Sequence, residues 1–313
     1  MSERVVVALG GNAIAGERGA DPESQQQAVE GACEQIAELV VNGHEVAITH
    51  GNGPQVGNLL LKNDLAREVV PPVPLDWCVA QTQATIGYLI VSCLERALGA
   101  RGIARAVVAL TTRVLVDPDD PAFQHPTKPI GRHLPEAQAR AHVAEGETWA
   151  EADAEGWRRV VPSPRPRAIL DVDAAVRLLD EGAVVVCAGG GGIPMVRDGD
   201  RLVGVEAVLD KDLCASLLAR TIAAECLVIA TDVPAAAVRF GTPEQRWLGR
   251  VTPDELRELA AGGEFDAGSM GPKVTACAEF VEASGRRAVI TSLESVVAGA
   301  AGEAGTVVEP VAA

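Results

Sequence analysis

Short apolar runs alternate with longer stretches of helical periodicity along almost the whole chain. RVVVALGG (residues 4–11) predicts a strand, and residues 21–42 predict a helix that Asp21 caps and Pro22 opens. HEVAITHG (44–51) is the next strand. A helix from Pro54, a longer one over 79–98 and one long strand, RAVVALTTRVLV (105–116), follow. From Asp117 to about Arg167 the texture changes: proline and charge are frequent and strand signals are weak, so this stretch reads as an inserted flap subdomain. Alternation resumes with a helix over 172–179, the strand AVVVCAGGGG and a hairpin turning at RDGDR. A helix over 209–223, the strand CLVIATDV, helices over 253–260 and 272–283, the strand RAVIT, a short helix and GTVVEP complete the pattern. Strands separated by helix-length segments imply βαβ units, hence an α/β fold with a mostly parallel open sheet and helices on both faces. No tandem repeat interrupts it.

Composition narrows the class. The chain has 313 residues, 48% of them hydrophobic, 22% charged and only 3% aromatic, which predicts an aliphatic core large enough for one α/β domain or two lobes. A net charge of −16 opposes binding to nucleic acid or an anionic membrane, yet leaves room for a local positive pocket. MSERVVVALGG lacks the layout of a signal peptide, and no long uninterrupted apolar run suggests a membrane span, so a cytoplasmic location is expected. Seven cysteines without a CxxC pair, mostly in apolar stretches, read as buried free thiols. Five histidines without HExxH spacing predict no structural zinc and no dedicated protein metal site.

The chemistry-bearing signal is an apolar strand running straight into glycines, three times: VVVALGGN, VAITHGNG and VVVCAGGGG. A single instance reads more readily as a tight turn. Three at the carboxyl ends of parallel strands point to a ligand-binding rim, where backbone N–H groups approach an anion unhindered by Cβ atoms. Neither the dinucleotide fingerprint nor GxxxxGK[ST] fits these loops, which weakens a Rossmann dehydrogenase and a P-loop ATPase. Two lysines suit a phosphate: Lys211 in LDKDL, with Asp210 as a helix cap and Asp212 beside the amine, and Lys273 in GSMGPKV, in a first helical turn. Each alone reads more readily as a solvated surface lysine. Lys128, held between prolines in HPTKPIG, is a flap lysine able to close over an anion. No GxSxG elbow, Cys/His pair or kinase-like HRD aspartate is present. Phosphoryl transfer here would therefore rest on positioning and electrostatics rather than on a base.

Taken together, VVALGGNAI, THGNGPQVGNLL, PLDWCVAQTQATIGYLI, DPAFQHPTKPIG, RRVVPSPRP, GVEAVLDKDL and GSMGPKV resemble carbamate kinases of the amino-acid kinase superfamily, in order from Val5 to about Thr291. The resemblance implies a single domain over residues 1–313, a three-layer α/β/α sandwich with a protruding flap (about 117–167), assembled as a homodimer. It implies reversible transfer between MgADP with carbamoyl phosphate and MgATP with carbamate, with flux favouring ATP and Mg²⁺ arriving with the nucleotide. By the same resemblance Gly10, Gly11 and Asn12 position the transferred phosphoryl group, and Gly51, Asn52 and Gly53 hold the carbamoyl moiety. Lys211 and Lys273 neutralise phosphate oxygens, Asp212 holds those lysines, and Lys128 closes from the flap. The nucleotide is expected over the C-terminal part (about 183–313), near Thr231, Asp232, Val233 and Met270. RHLPEAQ after Gly131 and TDVPAAAVRFG depart from the family pattern, so flap closure and nucleotide preference stay open. A kinase for another small carboxylate, or a catalytically silent nucleotide or carbamoyl-phosphate sensor, are the alternatives.

Overall fold

The computed structural model describes residues 2–16, 21–153, 155–266 and 268–310. Along the chain, β1 (Arg4–Leu9) leads into α1 (Gly11–Ala15) and α2 (Pro22–Val41), and β2 (Glu45–His50) into α3 (Gly53–Ala66) and α4 (Leu75–Ala100). β3 (Val107–Ala109) and β4 (Arg113–Val116) precede the flap, built from β5 (Lys128–Leu134), α5 (Glu136–Ala144), β6 (Trp149–Asp153) and β7 (Gly156–Val161). After β8 (Pro166–Ile169) come α6 (Val172–Asp180), β9 (Val184–Val186), the hairpin β10 (Ile193–Asp198) and β11 (Arg201–Gly204), α7 (Lys211–Thr221) and β12 (Cys226–Thr231). The short strands β13 (Ala237–Val238), β14 (Arg246–Trp247) and β15 (Arg250–Val251) follow, then α8 (Pro253–Ala261), α9 (Met270–Ser284), β16 (Arg287–Ser292), α10 (Val296–Ala300) and β17 (Thr306–Val308).

Eight strands form the central sheet in the order β15-β17-β16-β12-β1-β2-β9-β3, parallel except where β17 runs against β16. Its inner strands are buried on both faces, which is why their sequences are apolar runs and not alternating ones. The two-residue period sorts them nonetheless. Val6, Ala8, Leu227 and Ile229 point to the layer of α6, α7, α8 and α9. Val5, Val7, Ile48 and Val228 point to the opposite layer, with α2, α4 and α10. The result is a three-layer α/β/α sandwich around a mostly parallel sheet.

Local signals explain the helix ends. The Asp21 Oδ1 accepts from the Ser24 N–H at 3.1 Å with Pro22 at N1, and Thr252 and Glu255 form a reciprocal capping box on α8. α4 is long and apolar enough by length and composition to cross a membrane, but half of its most apolar window is buried, and residues such as Ile86, Ile90 and Leu94 pack into the core. All seven cysteines are free and buried.

One sequence expectation needs correction. Residues 105–116 are not one strand: β3 ends the central sheet at its edge, and β4 belongs to a second sheet ordered β11-β10-β4-β8. The break falls at Thr111–Thr112, where polar groups displace ladder pairing. The Thr112 N–H donates to the Gln83 Oε1 of α4 at 2.7 Å, and the Thr112 hydroxyl to the Leu110 carbonyl at 3.1 Å. β4 then pairs antiparallel with β8, so the chain between them leaves and returns at one place. That excursion carries the three-stranded antiparallel sheet β5-β7-β6.

Candidate active site

The three glycine-rich segments follow β1, β2 and β9, which are neighbours in the central sheet. They therefore meet at one edge, at the carboxyl ends of the strands. Gly51 and Gly11 touch through backbone alone: a Cβ on Gly51 would lie 2.6 Å from the Gly11 nitrogen. In the third segment Ala188 and Gly190 take left-handed conformations, and a Cβ on Gly190 would lie 2.1 Å from the Asn52 Nδ2. Side-chain-free backbone is thus a packing requirement here.

Asn52 stands before the first turn of α3 and is buried. Its Nδ2 donates to the Thr82 hydroxyl at 2.9 Å, which donates in turn to the Val79 carbonyl at 2.7 Å. Beside it, the Gln83 Nε2 donates to the carbonyls of Thr112 (3.1 Å) and Gly189 (3.0 Å). Thr82 and Gln83 are therefore the polar struts that tie α4 to two of the loops. The sequence signal for them was a run of three polar residues, QTQ (81–83), inside a largely apolar helix.

The charged floor comes from α7 and α9. The Asp210 Oδ1 caps α7, accepting from the N–H groups of Asp212 (3.0 Å) and Leu213 (3.2 Å). Asp212, only 3% exposed, divides its carboxylate between two lysines: Lys211 Nζ lies 2.5 Å from Oδ1 and Lys273 Nζ 3.2 Å from Oδ2. Lys273 Nζ also donates to the Ser269 carbonyl at 3.3 Å. Burial alone would raise the Asp212 pKa, but the two ammonium groups outweigh it and hold the carboxyl below its usual range. For Lys211 burial is the larger influence and lowers its pKa, a shift that an incoming phosphate dianion would oppose. Within this triad two ammonium groups face one carboxylate, while Lys128, Asp210 and Asp232 bring the charged groups around the site to three lysines and three aspartates. Lys128, the first residue of β5, reaches in from the flap and pairs with the Asp210 Oδ2 at 3.1 Å.

These groups line one cavity of about 290 Å³: Gly10, Gly11, Gly51, Asn52 and Gly53 above, Lys128, Lys211, Asp212 and Lys273 around it, and Thr231 with Asp232 at the end of β12. The Thr231 hydroxyl donates to the Asp232 Oδ1 at 3.0 Å. The cavity opens past Gly53, Lys128, Asp210 and Gly268 into a mouth of about 1150 Å³, where Arg132, Arg158 and Arg165 of the flap side face Phe265 and Pro272. Of the remaining expected residues, Val233 and Met270 are not on the inner wall. Val233 is half-buried beyond Asp232, and Met270 opens α9 and packs on the core. Asn12 lies in α1, and its side chain falls outside the described residues.

The model of the amino acid kinase family matches residues 3–292. A carbamate kinase of Thermococcus kodakarensis is 46% identical over 310 residues, covering 97% of this chain and 98% of that protein. Carbamate kinase 1 of Enterococcus faecium is 44% identical over 298 residues, 95% of each chain. Among solved structures, carbamate kinase from Giardia lamblia bound to AMP-PNP superposes with a TM-score of 0.93 at 40% identity, covering 99% of both chains.

Proposed function

The chain belongs to the amino acid kinase family, and on that footing we propose that it works as a carbamate kinase, moving a phosphoryl group reversibly between carbamoyl phosphate and ADP. The observation that carries this reading is the Lys211–Asp212–Lys273 floor beneath a glycine-walled cavity. Such a site suits a small dianion with almost no apolar surface, which only amides and fixed cations can recognise.

In the proposed mechanism Gly10, Gly11 and Asn12 orient the transferred phosphoryl group, and Gly51, Asn52 and Gly53 hold the carbamoyl end. A β-phosphate oxygen of ADP attacks phosphorus in line. The bond from phosphorus to the carbamoyl oxygen breaks, and carbamate leaves with its electron pair. Lys211, Lys273 and the flap's Lys128 offset the charge that spreads over the equatorial oxygens. Both nucleophiles, ADP one way and carbamate the other, are already anionic, so no general base is required. Carbamoyl phosphate is a mixed anhydride, which favours ATP formation. The nucleotide lies over the part of the chain from about 183 to 313, against Thr231, Asp232 and Val233 and near Met270.

Mg²⁺ enters with the nucleotide as part of the substrate. Among the described residues no group of three His, Cys, Asp or Glu side chains could hold a metal, and both oxygens of Asp212 are engaged by lysines. This donor set fits an ion held mainly by phosphates and water. Residues 117–167 act as the inserted flap of a single domain. A homodimer is supported by Trp77 and Tyr88, two large aromatic side chains that are 60% and 67% exposed on α4.

The test is ATP formation from carbamoyl phosphate and Mg-ADP, with Lys211→Ala as control. Turnover that collapses in the variant supports reaction and site together. Equal or better use of acetate, aspartate or an N-acylated glutamate would replace carbamate as the substrate. Ligand-induced thermal stabilisation without turnover would replace the enzyme with a sensor.

A further inference from the structure

His50 ends β2, directly before the loop Gly51–Gly53, and is 1% exposed. It does not line the cavity, so it neither binds the phosphoryl group nor acts as a base there. Its Nδ1 lies 2.9 Å from the carbonyl oxygen of Gly51. A carbonyl only accepts, so Nδ1 must carry the proton in that contact. The ring is wedged against the third glycine segment: a Cβ on Gly189 would lie 2.2 Å from the His50 Nε2. Burial, with a smaller contribution from the nearby Lys211 charge, pushes the imidazole down to about 4, so it is neutral at pH 7.

The consequence lies in the next peptide unit. No cis peptide occurs among the described residues, so the Gly51–Asn52 unit is trans, with its C=O and N–H pointing in opposite directions. A carbonyl turned toward the imidazole turns the Asn52 N–H away from it. That N–H has no acceptor among the described residues, and Asn52 and Gly51 both line the cavity. The neighbouring residue of β2 fastens the strand end to the third glycine segment, the Thr49 hydroxyl donating to the Ala188 carbonyl at 2.9 Å. A buried amide with no protein partner beside a cationic floor is a donor waiting for an anionic or carbonyl oxygen.

We propose that His50 is a positioning residue: its Nδ1–H holds the Gly51 carbonyl and thereby aims the Asn52 amide N–H at the carbonyl oxygen of a bound acyl phosphate. This rests on the reading of the cavity as an acyl-phosphate site. A role in core packing alone would need only the ring's volume, whereas positioning needs its donor.

The experiment compares His50→Leu, which keeps bulk without a donor, with His50→Asn, whose amide can place a donor near the Nδ1 position. In the leucine variant kcat/KM for carbamoyl phosphate is expected to fall about 10- to 100-fold, with KM for ADP within about twofold of wild type. The asparagine variant is expected to recover most of that loss. A folded leucine variant with wild-type kcat/KM, or equal losses in both folded variants, overturns the proposal. If the variants do not fold, the imidazole nitrogen shifts of ¹⁵N-histidine-labelled wild-type protein decide. A neutral Nδ1–H tautomer for His50 at pH 7 is required, and an Nε2–H tautomer refutes the assignment. Wild-type protein that turns over no carbamoyl phosphate strikes instead at the substrate reading, and the tautomer still tests the hydrogen bond.

Discussion

Replacing Asp212 with asparagine preserves shape while removing the one negative charge between two buried ammonium groups. Each lysine nitrogen now contacts one carboxylate oxygen, at 2.5 and 3.2 Å, so the two cations sit on either side of a single carboxyl group. Without the charge, two ammoniums roughly 6 Å apart repel by about 3 kcal/mol at an effective dielectric constant near 20. The lost attractions add to this, but one lysine can shed its proton or swing toward the cavity mouth, which limits the total. Breaking a buried pair typically costs about 3–5 kcal/mol, and that range is the expected loss. For a chain of this size it corresponds to a fall in Tm of about 5–10 °C. The carboxyl's pKa is lowered in the folded state. Its stabilisation is therefore present above the ordinary carboxylate pKa and lost as pH falls through the folded value, so the variant and wild type should differ most near neutrality and converge in acid. An anion should narrow the gap, because phosphate replaces the missing charge. Thermal unfolding at pH 7, with and without inorganic phosphate, measures both effects, and a coupled ATP assay reads activity, expected to drop at least 100-fold. A variant with unchanged Tm and turnover would refute the view that Asp212 organises the two lysines.

Three further outcomes follow from the same geometry. Gly51→Ala forces a methyl group to within 2.6 Å of the Gly11 nitrogen, so the two loops must part; kcat/KM for carbamoyl phosphate should fall at least 100-fold, and a fully active variant would show that the loops yield freely. Lys128→Met removes a partly exposed ion pair but leaves the α7 cap on the other oxygen of Asp210, so Tm should stay within about 2 °C while KM for carbamoyl phosphate rises, as calorimetry and kinetics can check together. With a folded-state pKa of about 4 against 6.5 in the unfolded chain, His50 takes up its proton first in the unfolded state. Its contribution is complete above pH 6.5 and declines by up to about 3 kcal/mol as pH falls toward 4, and urea unfolding of His50→Leu should lack that slope.

Much of this architecture was legible because its signals are local. Asp21-Pro22 marks a helix start by its own chemistry, and strands buried on both faces announce themselves as apolar runs. The glycine segments were legible as a rim because three of them shared one topological position, and β1, β2 and β9 prove to be adjacent. Residues 105–116 misled because β-propensity does not say where a sheet ends; the partner that terminates pairing, Gln83, is distant in sequence. His50, Thr82 and Gln83 escaped notice for a related reason. A polar side chain on an apolar element looks the same in sequence whether it meets water or a backbone carbonyl. Lys211 and Lys273 were separately ambiguous, and only tertiary packing of α7 beside α9 gives them a shared carboxylate.

Asp210 divides its two oxygens between unrelated duties, one fastening the first turn of α7 and the other receiving the flap's Lys128. The joint is therefore separable. Breaking the Lys128 pair leaves the helix that carries Lys211 and Asp212 anchored. The same separation bears on how such a chain can diverge. Exposed residues of the flap can vary without disturbing that joint, because the flap's ion pair with the charged floor passes through one carboxylate oxygen that the α7 cap does not require, whereas Ile130, Leu134 and Ala139 of β5 and α5 are held by burial. A flap with an unfamiliar sequence over an unaltered floor is the outcome that this arrangement permits.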